Sequence, residues 1–189
     1  MSNVRITFVP TTKTQIMNNN VINGFIQNQI SLVQELFNEK GSLVPLVNVL
    51  TEKEGGYYDS HIPVPIQLMK DEDGKDFVRD KLIEQMKEKI KKDGHNLLCI
   101  NWCSEGWMYK VNKQDEEGLK NYRSKPKTEV LLMVFNFEDT NKTIVFEIKR
   151  NQVIDDKGQL KEQIKLEVLD TRDSVEVGGR FSDMLNSKN

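Results

Sequence analysis

Between Ile144 and Val168 the chain repeats one pattern, apolar and polar residues alternating with a period of two on either side of a turn signal. Ile144, Phe146 and Ile148 alternate with Val145, Glu147 and Lys149, and Ile164, Leu166 and Val168 alternate with Lys165 and Glu167. Successive side chains of a strand point to opposite faces, so this spacing lays an apolar row along one face of a sheet. Asp155-Asp156-Lys157-Gly158 lies between the two runs and supplies the Asp and Gly that a tight hairpin turn uses. Glu129 to Phe137 is apolar on both faces, as a central strand is, and Asp139 to Lys142 forms the turn after it. Three strands joined by short turns make an antiparallel meander.

The first half carries a helical period. After the Asn18-Asn19-Asn20 breaker, Ile22, Ile26, Ile30, Val33 and Phe37 recur at helical spacing, and Gly41 follows as a stop signal, which predicts a helix from Val21 to Asn38. Phe77, Leu82, Met86 and Ile90, with Val78 and Ile83 alongside, predict a second helix that starts within Lys70 to Asp76 and ends at Lys92, closed by Gly94. Val4 to Val9 fits a short strand stopped by Pro10. Ser42 to Leu50 is apolar, but Pro45 lacks a ladder donor and favours an edge strand or an extended segment. Gly55-Gly56 and Pro63-Val64-Pro65 bracket an ordered loop.

Asn96 to Cys103 reads as a buried strand, with Trp107 to Asn112 pairing back across Ser104-Glu105-Gly106. Lys113 to Pro126 is a polar loop, and the tail through Gly178-Gly179 to Asn189 is irregular. The fold expected is α+β, with two main helices in the first half and an antiparallel β-meander in the second. One domain over residues 1–189 is expected, since 189 residues suffice for a single core and no repeat or long linker divides them.

Charge and cysteine usage exclude several classes. The 27 basic and 29 acidic residues nearly cancel, which disfavours a strongly basic nucleic-acid binder. No apolar run reaches the length of a bilayer span, and Met1 to Pro10 lacks the apolar core of a secretory signal, so no membrane partner and a cytoplasmic location are expected. Cys99 and Cys103 are the only cysteines, and on a strand their Cα atoms lie roughly 13 Å apart at about 3.3 Å per residue, too far to bridge. The absence of alanine beside 21 Lys and 17 Asn matches the codon usage of an AT-rich genome.

The densest chemical cluster is His95 to Trp107. On one strand His95, Cys99, Cys103 and Glu105 would share a face, aligning an imidazole, thiols and a carboxylate. His95 and Cys103 would nevertheless lie roughly 26 Å apart by strand rise, beyond the reach of a catalytic dyad. Cys103 and Glu105 are the catalytic candidates, set against core cysteines and an ordinary turn carboxylate. Cys99, Cys103, His61 and His95 are the whole Cys and His inventory, without the spacing of a zinc site, and no metal is expected. No glycine-rich phosphate loop is present, and no cofactor or small-molecule ligand is implied.

Trp102 and Trp107 flank Glu105, and such tryptophans usually serve as core or interface anchors. Trp107, with Tyr57 and Tyr58 in what reads as an exposed aromatic loop, are the partner-binding candidates. Arg123, Lys125 and Lys127 are the nucleic-acid candidates, whereas the Lys81 to Lys92 stretch interleaves both signs like a solvated face.

Ser104-Glu105-Gly106-Trp107-Met108, followed by Arg123-Ser124-Lys125-Pro126-Lys127-Thr128-Glu129-Val130-Leu131, resembles a set of bacterial and phage-encoded proteins in which a strand ends in a Glu-Ala-Trp-Met-like motif. A Pro-containing loop and a Glu-led apolar strand follow in that set. The resemblance spans about residues 97–150, with Gly106 where the pattern has alanine, and it implies an origin without any functional residue to carry over. The expectation is a non-enzymatic phage-type protein acting through protein partners or self-assembly, in the host cytoplasm or the virion. A small enzyme using Cys103, Glu105 or His95 and a nucleic-acid-binding accessory protein are the alternatives.

Overall fold

In the computed structural model the described residues are 9–11, 19–109, 121, 126–137 and 141–174. A seven-stranded sheet runs through them, every neighbouring pair antiparallel, in the order β1-β3-β2-β4-β5-β6-β7. The strands are β1 (Val9–Thr11), β2 (Leu46–Lys53), β3 (Gly56–Pro63), β4 (Asn96–Tyr109), β5 (Lys127–Phe137), β6 (Asn141–Ile154) and β7 (Leu160–Ser174). Helix α1 (Asn19–Lys40) covers one face of the sheet. The other face is covered by α2 (Glu72–Phe77), a π turn (Val78–Leu82) and α3 (Ile83–Lys92), which form one continuous rod.

The α+β expectation holds, and the helices lie in the first half as their periodicity requires. In α1 the stripe Ile22, Ile26, Val33 and Phe37 turns to the sheet, Phe37 and Val33 being fully buried, and Phe25 meets Phe135 edge-on at 6.2 Å. Burying each such side chain stabilises by about 1.5–3 kcal/mol, which sets where the helix sits. Gly41, at a φ of +71°, closes α1 in the left-handed conformation, and its N–H donates to Phe37 O. At the end of α3, Gly94 N–H donates to Lys91 O and His95 N–H to Ile90 O, the two bonds of a Schellman cap.

The second helix departs from expectation within its stripe. Val78, Ile83, Met86 and Ile90 are buried, whereas Phe77 is exposed. The step from Val78 to Ile83 is five residues, too long for one face of an α-helix, and the π turn across it restores the phase.

Three strand expectations are corrected. Ser42 to Leu50 does not form an edge: β2 is interior, between β3 and β4. Pro45 stands one residue before its first ladder position, so no donor is missing, and Pro45 O accepts from Val64 N–H. The bracketed loop at Gly55 to Pro65 is largely β3, a hairpin with β2 that pairs Lys53 opposite Gly56. Glu54 and Gly55 turn it in the left-handed region, which removes the need for a longer connection. Ser104-Glu105-Gly106 is no turn, because β4 runs unbroken through it with Ser104 opposite Leu132 and Gly106 opposite Val130 on β5.

From β4 onward each strand pairs with the next, and the Asp155 to Gly158 turn lies where expected. Asp155 Oδ1 accepts from the N–H groups of Lys157 and Gln159 at 2.9 Å, and Gly158 takes a φ of +74°. Residues 4–8 of the expected first strand, residues 110–112, most of the loop at 113–125, the turn residues 139–140 and the tail with Gly178-Gly179 lie outside the described residues.

Each sheet face has its own core. Beneath α1 lie Leu46, Leu50, Cys99, Cys103, Leu131, Met133, Phe135, Phe146 and Ile164, and beneath α3 lie Val47, Val49, Ile62, Ile100, Trp102 and Val134. A β-bulge opposite Leu50 and Thr51 inserts Leu98 as an extra residue in β4. One extra residue exchanges the faces of everything beyond it, so Leu97 packs toward α3 while Cys99 packs toward α1.

Candidate functional site

The bulge separates the residues of the chemical cluster. His95 lies on the α3 side, its Nδ1 3.0 Å from Thr51 Oγ1 and its ring edge-on to Tyr58 at 5.2 Å. Cys103 lies on the opposite face in the α1 core and is fully buried. Burial pushes its thiol far up, and the Glu105 carboxylate pushes it the same way, which keeps it protonated and poorly nucleophilic. Cys99 is also buried and raised, mainly by desolvation. Among the described residues no group of three His, Cys, Asp or Glu side chains could hold a metal ion.

Glu105 is half-buried on the α1 face, where its Oε1 accepts from Leu43 N–H in the connection between α1 and β2. Desolvation raises its pKa, the Leu43 bond opposes that, and Glu129 adds to the rise. It begins a charged row across four strands. Arg150 of β6 grips Glu129 of β5 with two bonds of 2.7 and 2.9 Å, reaches Glu162 of β7 at 2.9 Å, and donates to Gly41 O at 2.7 Å. Arg150 holds Glu129 below the usual carboxylate range. The row ties the C-terminal end of α1 to the sheet, a structural task for the carboxylate singled out as a catalytic candidate.

A second polar row crosses the same face further in. Asn48 Nδ2 donates to Asn101 Oδ1 at 2.8 Å, and His61 Nδ1 lies 3.0 Å from Asn48 Oδ1. Asn48 and Asn101 are fully buried, and burial holds His61 below its ordinary value of 6.5. On α1, Gln29 is fully buried, and neither of its amide atoms has a hydrogen-bond partner among the described residues. Asn48 and Asn101 each stand singly in an apolar run and Gln29 follows Gln27 and Asn28 on a helix, so no spacing in the sequence marks the three as buried polar groups.

The aromatic candidates separate. Tyr57 is buried in the α1 core and presents no contact surface, while Tyr58 is half-buried against His95. Trp102 packs on the α3 face with Nε1 donating to Ser104 Oγ, so the two tryptophans do not sandwich Glu105. Trp107 is 51% exposed, and Lys127 Nζ lies 4.0 Å above its ring, which gives that cation a partner at the sheet end. Arg123 and Lys125 lie outside the described residues.

Two further features were absent from the sequence reading. The β6–β7 hairpin runs past the last residue that β6 pairs with β5, Glu147, and Ile154 sits directly opposite Leu160 at its tip, 72% and 75% exposed. Val168 and Leu169 are also exposed along β7, beside a second bulge at Val145 and Phe146. On the α3 face a cavity of about 320 Å³ opens between Val49, Ser60 and Ile62 of the sheet and Leu82, Met86 and Ile90 of the helix. Gly74 lies against the backbone of the cavity-lining residue Leu68, where a Cβ would collide.

Compared with protein-family models, curated proteins and solved structures, the chain has no match. Among the described residues no helix is long and apolar enough to cross a membrane.

Proposed function

We propose that the chain acts by protein contact, as an assembly or particle-associated component of the phage or mobile-element kind, and that a second copy of itself is the partner. The observation that carries this reading is the β6–β7 arm, whose tip presents Ile154 and Leu160 as an exposed apolar pair. Exposed β-branched and leucine side chains at a projecting tip are what an interface covers. Val168 and Leu169 are exposed further along β7, which among the described residues has a strand neighbour on one side only.

The edge itself is partly taken. Gln34 of α1 donates to Ile164 O at 2.7 Å and accepts from Leu166 N–H at 3.2 Å, the two-point pattern of a neighbouring strand. The contact therefore rests on side-chain packing of the arm rather than on a ladder extended along all of β7. A net charge of only -2 leaves little self-repulsion between copies. The buried, protonated Cys103 and its separation from His95 by the sheet weigh against the enzyme alternative.

Light scattering over a wide concentration range tests this. The expected result is a dimer or larger species that Ile154→Asp with Leu160→Asp converts to monomer while the circular dichroism spectrum is unchanged. A wild-type chain that stays monomeric at every concentration would sink the reading.

A further inference from the structure

We infer that the cavity on the α3 face is a binding site for a compact, largely apolar ring molecule carrying one hydrogen-bonding group, of about the size of a bicyclic phenol. Protein interiors are close-packed, and voids larger than a water are few. A cavity of about 320 Å³ is at the small end of ligand pockets, and roughly twice the apolar cavity of about 150 Å³ that takes up benzene.

The lining defines the chemistry. Val49 and Ile62 form the floor, and Leu82, Met86 and Ile90 the helical wall, so the walls favour an apolar body. Met86 is an adaptable side chain suited to aromatic contact. Ser60 is the exception on the floor. It is 1% exposed, and its hydroxyl has no hydrogen-bond partner among the described residues. A buried hydroxyl left unpaired costs free energy that a ligand oxygen or nitrogen would restore, which makes Ser60 the anchor and sets the need for one polar group. Lys89 and Asp93 both line the site and carry opposite charges, so the lining favours neither sign and fits a neutral ligand. The cavity faces away from the α1 side, and the inference does not depend on self-association through the arm.

Protein NMR titration of the intact chain with 2-naphthol and with naphthalene, which lacks the hydroxyl, tests the site. Saturable shifts at Val49, Ile62 and Met86 are expected, with 2-naphthol favoured by roughly tenfold through the Ser60 bond. In Ser60→Ala the preference should fall to near onefold while naphthalene binding is kept, and in Leu82→Trp, which fills the space, both ligands should lose binding. Ser60→Ala removes one oxygen and keeps the test decisive if Leu82→Trp loses its native spectrum. The absence of saturable shifts in the wild-type chain, or an unchanged preference in Ser60→Ala, overturns the proposal.

Discussion

The two faces of one sheet are finished differently. On the α1 face, polar and charged side chains are threaded through the core and bonded to one another, as in the Asn48–Asn101 pair, the His61 contact and the Arg150 row. On the α3 face the core is mainly apolar, with the His95–Thr51 contact and the Trp102–Ser104 bond beside it, and the packing leaves a cavity at the unpaired Ser60 hydroxyl. Gln29 is the exception on the first face, its buried amide without hydrogen-bond partners among the described residues. Paired buried polar groups define a single arrangement of helix on sheet. A hollow relaxes that demand, and the comparison teaches that one sheet can brace a helix on one side and leave room on the other.

The largest expected difference is in truncation of the two cores. Phe37→Ala, in the α1 face, should cost about 4 kcal/mol, and Met86→Ala, beside existing empty space, about 2 kcal/mol, both read from urea midpoints. Equal losses would break the contrast between a filled and a hollow face.

A smaller contrast lies in the polar groups. Asn48→Ala removes the donor to buried Asn101 Oδ1 and the acceptor beside the half-buried His61 ring and should cost about 2 kcal/mol, whereas Ser60→Ala removes an already unpaired hydroxyl and should be neutral or slightly stabilising. A Ser60→Ala loss as large as that of Asn48→Ala would mean that Ser60 is bonded after all.

The smallest effects depend on pH and separate two neighbouring carboxylates. The folded pKa of Glu105 is raised, so its contribution is complete at low pH and is lost as pH rises through the raised value. Glu129 is lowered, so its contribution is present above the usual carboxylate range and is lost as pH falls through the lowered value. Glu105→Gln should therefore match wild type at pH 4 and gain toward pH 8. Glu129→Gln should lose at pH 8 and come to match only as pH falls below the lowered value of Glu129, and each effect should be no more than about 1 kcal/mol because both side chains are partly solvated. Parallel pH profiles for the two variants would contradict the assignment of one to desolvation and the other to Arg150.

Local spacing carried most of the fold. The stripe of α1, the closing glycines at 41 and 94, the turn at Asp155 and the strands from Glu129 onward all follow from neighbours within a few residues. What escaped depended on one-residue shifts. The Leu98 bulge moved Cys103 to the face opposite His95, and the π turn exposed Phe77, and neither leaves a period that a sequence window detects. Pro45 and the Gly55-Gly56 pair misled because a breaker beside a strand resembles a breaker within one. Of the aromatic candidates, Trp107 is the one found substantially exposed. The cavity was invisible in the sequence, since Val49, Ile62 and Met86 read as ordinary core and emptiness has no residue code.

The Gln34 bonds to Ile164 and Leu166 join positions some 130 residues apart. During synthesis α1 emerges long before the strand it latches, so its apolar stripe must wait, partly uncovered, until β7 has left the ribosome. Chaperone dependence of the nascent chain should then end abruptly once residue 166 is clear of the exit tunnel.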